Sequence, residues 1–201
     1  SPRAARGIPA FGRGPARPES CGSASWIVFG RIGASRDAPA RRYPGGMTIA
    51  TADLYDERGD ELDSLSLPLI DLGGRTAFDG PVRTVRCHRD NALVKQVLAT
   101  PGAGAVLVVD GAGSLESALV GDMIAASAVE NGWAGIIVNG AIRDRVALAE
   151  LPLGVKALGS NPRKSAKDGV GDVDVPVTIA GVVFTPGRRV WADADGVLVE
   201  R

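Results

Sequence analysis

Cysteine is scarce. Cys21 and Cys87 are the only two in 201 residues, too few for a disulfide framework. Aromatic residues make up 4% of the chain, so its core is expected to be aliphatic, built from Val, Leu, Ile and Ala. The single histidine, His88, gives no basis for a His-rich zinc centre and has no obvious partner for a Ser-His-Asp arrangement. It reads as a surface or packing residue. No apolar run reaches the roughly 18 residues a membrane-spanning helix needs. A formal net charge of zero argues against a whole-chain nucleic-acid binder. No internal period supports a collagen-like, coiled-coil or repeat architecture.

What is present is an apolar content of 45%, enough for one ordinary domain or one domain with a long tail. The zero charge conceals a split. Residues 1–46 carry eight arginines against Glu19 and Asp37, while the remainder is acidic by the same margin. The first segment also holds six prolines and eight glycines, and only Trp26-Ile27-Val28-Phe29 clusters. Such a segment buries too little surface to offset its conformational entropy, so residues 1–46 are expected to form a disordered basic tail. The chain begins with Ser and its first methionine is Met47. Translated upstream sequence is the preferred origin; a functional basic arm and a targeting segment remain alternatives.

From residue 47 onward, strand and helix patterns alternate. Helices are expected over 51–58 with a stop at Gly59, over 92–99, over 123–130, and briefly before 155. Strands are expected over 82–87, 105–110, 117–120, 136–138 and 155–158. They are followed by a β-rich end at 173–179, 182–184, 190–192 and 196–199. The run Ala105–Val109 is continuously apolar, as in a strand covered on both faces. The pattern predicts an α/β domain with a mixed sheet.

Ligands in such sheets collect at the carboxyl ends of strands, and three ends carry polar residues. Asp110-Gly111-Ala112-Gly113 suggests a nucleotide or methyl-donor loop, but position 116, where a third glycine is needed, is Glu. A tight strand-to-loop turn is the simpler reading. Gly121-Asp122 opens a helix, where Asp122 suits an N-cap. Free backbone N–H groups of Gly121, Asp122, Met123 and Ile124 could equally hold a substrate carboxylate. Arg143-Asp144 pairs a carboxylate-binding guanidinium with a hard oxygen ligand for magnesium or manganese. A surface arginine beside a helix-capping aspartate is the plainer alternative. Cys87 reads as a small core residue. Lys156, Arg163, Lys164 and Lys167 read as a solvated basic loop, with a subunit contact or an acidic substrate as the sharper alternative.

Across nearly all of residues 48–201 the chain resembles the RraA-like family. That family includes the class II 4-hydroxy-4-methyl-2-oxoglutarate aldolases and the regulator of ribonuclease activity A. The resemblance rests on Thr51-Ala52-Asp53-Leu54, Gly73-Gly74-Arg75, VLVVDGAGS (106–114), ALVGDMIA (118–125), GIIVNGAIRD (135–144), GVVFTPG (181–187) and DADGVLV (193–199). It looks most like short actinobacterial-type members formerly labelled menaquinone-pathway methyltransferases. Asp122, twenty intervening residues and Arg143-Asp144 match the aldolase signature, which ribonuclease-regulator members lack. The resemblance implies a swivelling β/β/α domain with a mixed central sheet, in a cytoplasmic homotrimer or dimer of trimers with sites between subunits. It implies a metal-dependent pyruvate aldolase acting on a small oxo acid, with oxaloacetate decarboxylase side activity. Asp144 would hold the divalent cation directly or through water. Arg143 would stabilise the oxyanion, Gly121 to Ile124 would fix the substrate carboxylate, and Asp122 would position a water as proton carrier. Asp53, Asp56 and Glu57 are candidates for an acidic group lent to a neighbouring subunit. The alternative the family offers is a non-catalytic inhibitor of an RNA-processing ribonuclease.

Overall fold

A computed structural model of the chain describes residues 50–201; the tail expected at 1–46 lies outside them. Helix α1 (Thr51–Arg58) starts without a side-chain cap from its own N-cap residue. A distant carboxylate serves it instead: the Thr51 N–H and Oγ1 donate to Asp193 Oδ2 and Oδ1 at 2.8 and 2.6 Å. This satisfies one of the orphan donors of the first turn. The helix ends at Arg58 with Gly59 as its C-cap, as expected, though not through a left-handed glycine. At φ −53° it stays right-handed and leads into a 3-10 turn over Gly59–Glu61.

Two short strands follow that the sequence pattern does not reveal, β1 (Leu62–Ser64) and β2 (Ile70–Asp71). The chain then alternates as expected through β3 (Phe78–Arg86), α2 (Ala92–Leu98), β4 (Val106–Asp110), β5 (Ala118–Val120) and α3 (Asp122–Glu130). Next come β6 (Gly135–Ile142), α4 (Arg145–Glu150) and β7 (Gly154–Ser160). The strand expected over 173–179 is two, β8 (Asp172–Val173) and β9 (Val177–Ile179). Between them Asp174 adopts φ +54°, its carboxylate gripped by Arg83 with Nε–Oδ1 at 3.0 Å and a second contact at 2.6 Å. A left-handed residue followed by Val175-Pro176 breaks the ladder. The chain closes with β10 (Val182–Phe184), β11 (Arg189–Ala192) and β12 (Val197–Glu200).

Among the described residues one large mixed sheet runs β1-β12-β11-β3-β4-β6-β7-β2, with β5 alongside β6 and β8 alongside β3. Its centre, β3-β4-β6-β7, is parallel and its flanks antiparallel. The α/β fold with a mixed central sheet is therefore as expected. One face of the parallel ladder (Val85, Leu107, Val109, Ile136, Val138) packs on Val94 and Leu98 of α2, Ala125 and Ala128 of α3, and Leu148 of α4. The other face (Val82, Val106, Val108, Ile137) packs on the β9–β10 hairpin and on Val190 and Val199 of the curled flank. Helices, sheet and hairpin form three layers, which explains why the central strands read as unbroken apolar runs. No helix among the described residues is long and apolar enough to cross a membrane.

Cys87 sits in the helix-side core, 5% exposed. Burial, reinforced by the carboxylates of Asp90 and Asp110, pushes its thiol up to about 12. The thiolate that nucleophilic chemistry needs is suppressed, in keeping with a packing role.

Candidate functional site

The strand expected to end at Val138 runs on to Ile142 as β6. Its pairing with β7 shifts register between Val138 and Ala141. This irregularity lies one turn of chain before Arg143, and such bulges re-aim the residues that follow. The Arg143 N–H then donates to Val120 O at 2.9 Å, which fixes the end of β6 against the end of β5. Asp144 adopts a left-handed conformation, φ 58° and ψ 41°, which Asp tolerates better than most residues. The two side chains turn toward one another, Arg143 Nε lying 3.2 Å from Asp144 Oδ2.

Both side chains lie against Gly121. A Cβ placed there would meet Asp144 Oδ2 at 2.8 Å and Arg143 Nε at 3.0 Å. Gly121 has φ −138°, so the glycine is required by space and not by backbone conformation. We predict that Gly121→Ala leaves the fold intact, because the blocked atoms belong to side chains that can swing away. Any activity carried by the Arg143–Asp144 pair should fall at least tenfold, since a misplacement of about 1 Å can cost a hundredfold. Circular dichroism beside an activity assay would check it.

The tip of α3 departs from expectation in two respects. Gly121, not Asp122, is the N-cap residue, and Asp122 is the first helical residue. Asp122 Oδ1 accepts the Met123 N–H at 2.7 Å. The backbone donors are also not all free. Ile124 N–H is committed to Gly121 O at 3.1 Å, and Asp122 N–H points at Asp144 Oδ2 at 3.4 Å. Here the protein's own Asp144 supplies the anion that a positive helix end attracts; an incoming carboxylate would have to compete with it.

Two cavities meet at this point. Gly121, Asp122, Met123, Ile124 and Arg143 all line a half-open one of ≈ 240 Å³, between the start of α3, α2 and the 161–168 loop. Asp144 lines a more open cleft of ≈ 650 Å³ beside α4. Asp122 and Arg143 belong to both and form the wall between them. Met123, one of the lining residues, is 78% exposed. The structure thus gathers every residue singled out at the two strand ends. It does not bring Asp53, Asp56 or Glu57 to either cavity of this chain.

The smaller cavity adds residues that sequence reasoning left out, Asn91, Lys95 and Ser127. It also divides the basic loop. Lys164 and Lys167 line the cavity, whereas Lys156 is 2% exposed on β7 with its Nζ 2.7 Å from Asp71 Oδ1. The Gly111–Ser114 segment lines neither cavity. Asp110 Oδ1 accepts the Ala112 N–H and Asn139 Nδ2 at 3.0 and 2.8 Å, which makes it a strand-to-loop turn. His88 is exposed.

Asp90 ties the loop down. It is 3% exposed, its Oδ1 accepting Ala92 N–H at 2.9 Å and its Oδ2 the N–H groups of Asp168 and Gly169 at 2.7 and 3.0 Å. Burial pushes the carboxyl up. The backbone donors of Ala92, Asp168, Val170 and Gly169 outweigh it and hold the carboxyl below the usual carboxylate range. A depressed folded value stabilises the protein fully above the unfolded value near ~4 and loses that stabilisation as pH falls through the folded value. Asp90→Ala should cost about 2–3 kcal/mol at pH 7. The gap from the parent should narrow when urea unfolding is repeated below pH 4.

Among the described residues no group of three or more His, Cys, Asp or Glu converges as a metal cage. Magnesium needs none: it keeps most of its waters and takes one or two carboxylates plus substrate oxygens. Asp144, with Asp122 across Gly121, is a donor set of that kind. It does not suit zinc, which favours four protein ligands rich in nitrogen or sulfur.

Sheet, helix layer and cleft together define a mixed-sheet α/β protein with its candidate site at the carboxyl ends of parallel strands. Comparison with protein families makes this specific. The chain belongs to the RraA-like family, described as Aldolase/RraA, whose model matches residues 51–199. It is similar to a protein from Geobacillus kaustophilus described as an S-adenosylmethionine:2-dimethylmenaquinone methyltransferase. Identity is 47% over 76% of this chain and 94% of that one, with a TM-score of 0.75. It is equally similar to the RNA-processing inhibitor RraA from Thermus thermophilus, at 49% identity over 77% and 93% of the two chains and a TM-score of 0.74. An unusual member of the RNase ES inhibitor RraA family from Streptomyces coelicolor is 34% identical over 75% and 79%, with a TM-score of 0.61.

Proposed function

We propose that the protein is a class II pyruvate aldolase. It would be a carbon–carbon lyase that uses magnesium or manganese to cleave a 4-hydroxy-2-oxo acid such as 4-hydroxy-4-methyl-2-oxoglutarate. The observation that carries this reading is the convergence of Arg143 Nε and Asp144 Oδ2 on the bare backbone of Gly121, beside a cavity lined by Arg143 and Asp122.

Asp144 would hold the cation, with Asp122 as an outer partner. When bound, the cation supplies Lewis-acid polarisation of the 2-oxo group. Arg143 faces the oxygen on which negative charge grows, where a guanidinium already oriented by Asp144 stabilises the transition state more than the ground state. As the C3–C4 bond breaks, its electron pair passes to the three-carbon fragment, the C4 oxygen becomes a carbonyl and its hydroxyl proton passes to water. Asp122 positions the water that returns a proton to C3, giving pyruvate. No lysine is needed for a Schiff base. Oxaloacetate that loses carbon dioxide leaves the same electron pair on C3, so decarboxylation follows as a side activity.

Purified full-length protein with magnesium should release pyruvate from oxaloacetate and from 4-hydroxy-4-methyl-2-oxoglutarate. EDTA should abolish release, and added magnesium should restore it. A second reading has support in the Thermus thermophilus relative, described as an RNA-processing inhibitor at 49% identity. In that reading the protein binds and inhibits an RNA-processing ribonuclease without turnover. Ribonuclease binding with no pyruvate from either substrate would favour it.

A further inference from the structure

Lysine is rare in this chain and unevenly placed. There are four lysines against nineteen arginines. Three of the four, Lys95, Lys164 and Lys167, line the same cavity as Arg143 and Asp122. Several acids on the neighbouring segments are already engaged, and Asp168, next to Lys167 in sequence, is not part of the described lining. Arg83 pairs with Asp174, Arg86 with Asp172 and Arg89 with Glu116, and Asp90 spends its oxygens on backbone N–H groups. Among the described residues none of the three lysines forms an ion pair. Asp122 is the only acid among the described residues of the lining. Three lysines lining one cavity make it a region of positive potential that favours an anion, and a concave wall concentrates their field.

The backbone that carries two of them is fixed. Ala118 N–H donates to Arg163 O at 2.8 Å. Ser165, 8% exposed, donates from Oγ to Ala118 O at 2.8 Å and lies 2.9 Å from Ser117 Oγ. Asn91 and Ala166 are joined by a hydrogen bond of 3.1 Å, so the loop is tied to the start of α2, the helix that bears Lys95. The backbone positions of the three lysines are therefore set around a cavity with a partly apolar lining that includes Ala99, Ala118 and Ile124. Its ≈ 240 Å³ lies below the range for drug-sized ligands and suits a small acid.

We propose that Lys95, Lys164 and Lys167 form a subsite for an anionic far end of the ligand, a second carboxylate or a phosphate. The site thereby selects doubly anionic oxo acids over those with a neutral tail. The proposal rests on the reading that places the 2-oxo acid head at Arg143 and Asp144. Lysine, a compact charge on a flexible stem, suits a terminal group that arrives in more than one orientation.

Calorimetric titration of the full-length protein with magnesium tests it, using three ligands of matched length: 2-oxopentanoate, 2-oxoglutarate and 2-oxo-4-phosphonobutanoate. The charged-tail ligands should bind at least tenfold more tightly than 2-oxopentanoate. Lys164→Met and Lys167→Met should each bring them down at least threefold towards it. The tighter of the two charged ligands identifies carboxylate or phosphate as the source. Equal binding of 2-oxopentanoate, equal weakening of all three ligands in the lysine variants, or binding of none overturns the subsite. Pyruvate release measured alongside separates the two claims. Turnover with no preference for a charged tail sinks the subsite alone. A charged-tail preference with no turnover upholds the subsite and sinks the aldolase reading.

Discussion

Asp144→Asn should lower magnesium-dependent pyruvate formation about a thousandfold while the thermal midpoint stays close to that of the parent. The substitution is chosen for its backbone. Asp144 sits at φ 58° and ψ 41°, a region that Asn enters as readily as Asp, and Asn keeps the side chain's size. What disappears is the negative charge that faces Arg143 Nε at 3.2 Å and is assigned the cation. The expected loss corresponds to about 4 kcal/mol of transition-state stabilisation, the upper end for removing one preorganised electrostatic partner. Arg143→Lys should cost about a hundredfold, because it keeps the charge but loses the planar fork. Steady-state kinetics at saturating magnesium, with a thermal melt of each variant, makes the measurement. Unchanged kcat in Asp144→Asn would remove the site.

Much of this arrangement was legible in the sequence. The parallel strands show themselves as Val106–Val109 and Ile136–Val138 because both sheet faces are covered, which leaves no polar alternation. Gly121-Asp122 and Arg143-Asp144 stood out as polar residues at strand ends, and the fold does bring them together. Other features had no local signal. β1 and β2 are three and two residues long, and their pairing with β12 and β7 is a tertiary effect. The bulge that prolongs β6 is a matter of register between strands. Asp122 looked like an N-cap because its side chain suits one; the cap fell to Gly121 because Arg143 and Asp144 need the space a Cβ would take. Lys95 carried no motif. Its meaning comes from Lys164 and Lys167, some seventy residues away in sequence and on the same cavity. Lys156 misled in the other direction, grouped with the loop by sequence but placed in the interior beside Asp71.

Phe78→Ala should be the most damaging single truncation of the core. Phe78 opens β3 at 1% exposure, and aromatics are few in this chain. Its ring lies where a Cβ on Gly135 or on Gly154 would have to go. Those two glycines are direct partners in the parallel pairing of β6 and β7, so the ring covers a bare patch of two adjacent strands. Removing it leaves a void that neither opposing residue has a side chain to fill, and relaxation of neighbours is what usually moderates such losses. The cost should therefore fall at the upper end of the ~3–5 kcal/mol typical of Phe→Ala, a large share of the ~5–15 kcal/mol that stabilises a domain. Urea unfolding should show a lower midpoint with an unchanged slope. Gly154→Ala should also destabilise, by overpacking. Combined with Phe78→Leu, it should cost less than the two single effects added, because the sites share one space. A Phe78→Ala cost below about 1 kcal/mol, or strict additivity in the double variant, would show that the ring is not what fills the gap above the two glycines.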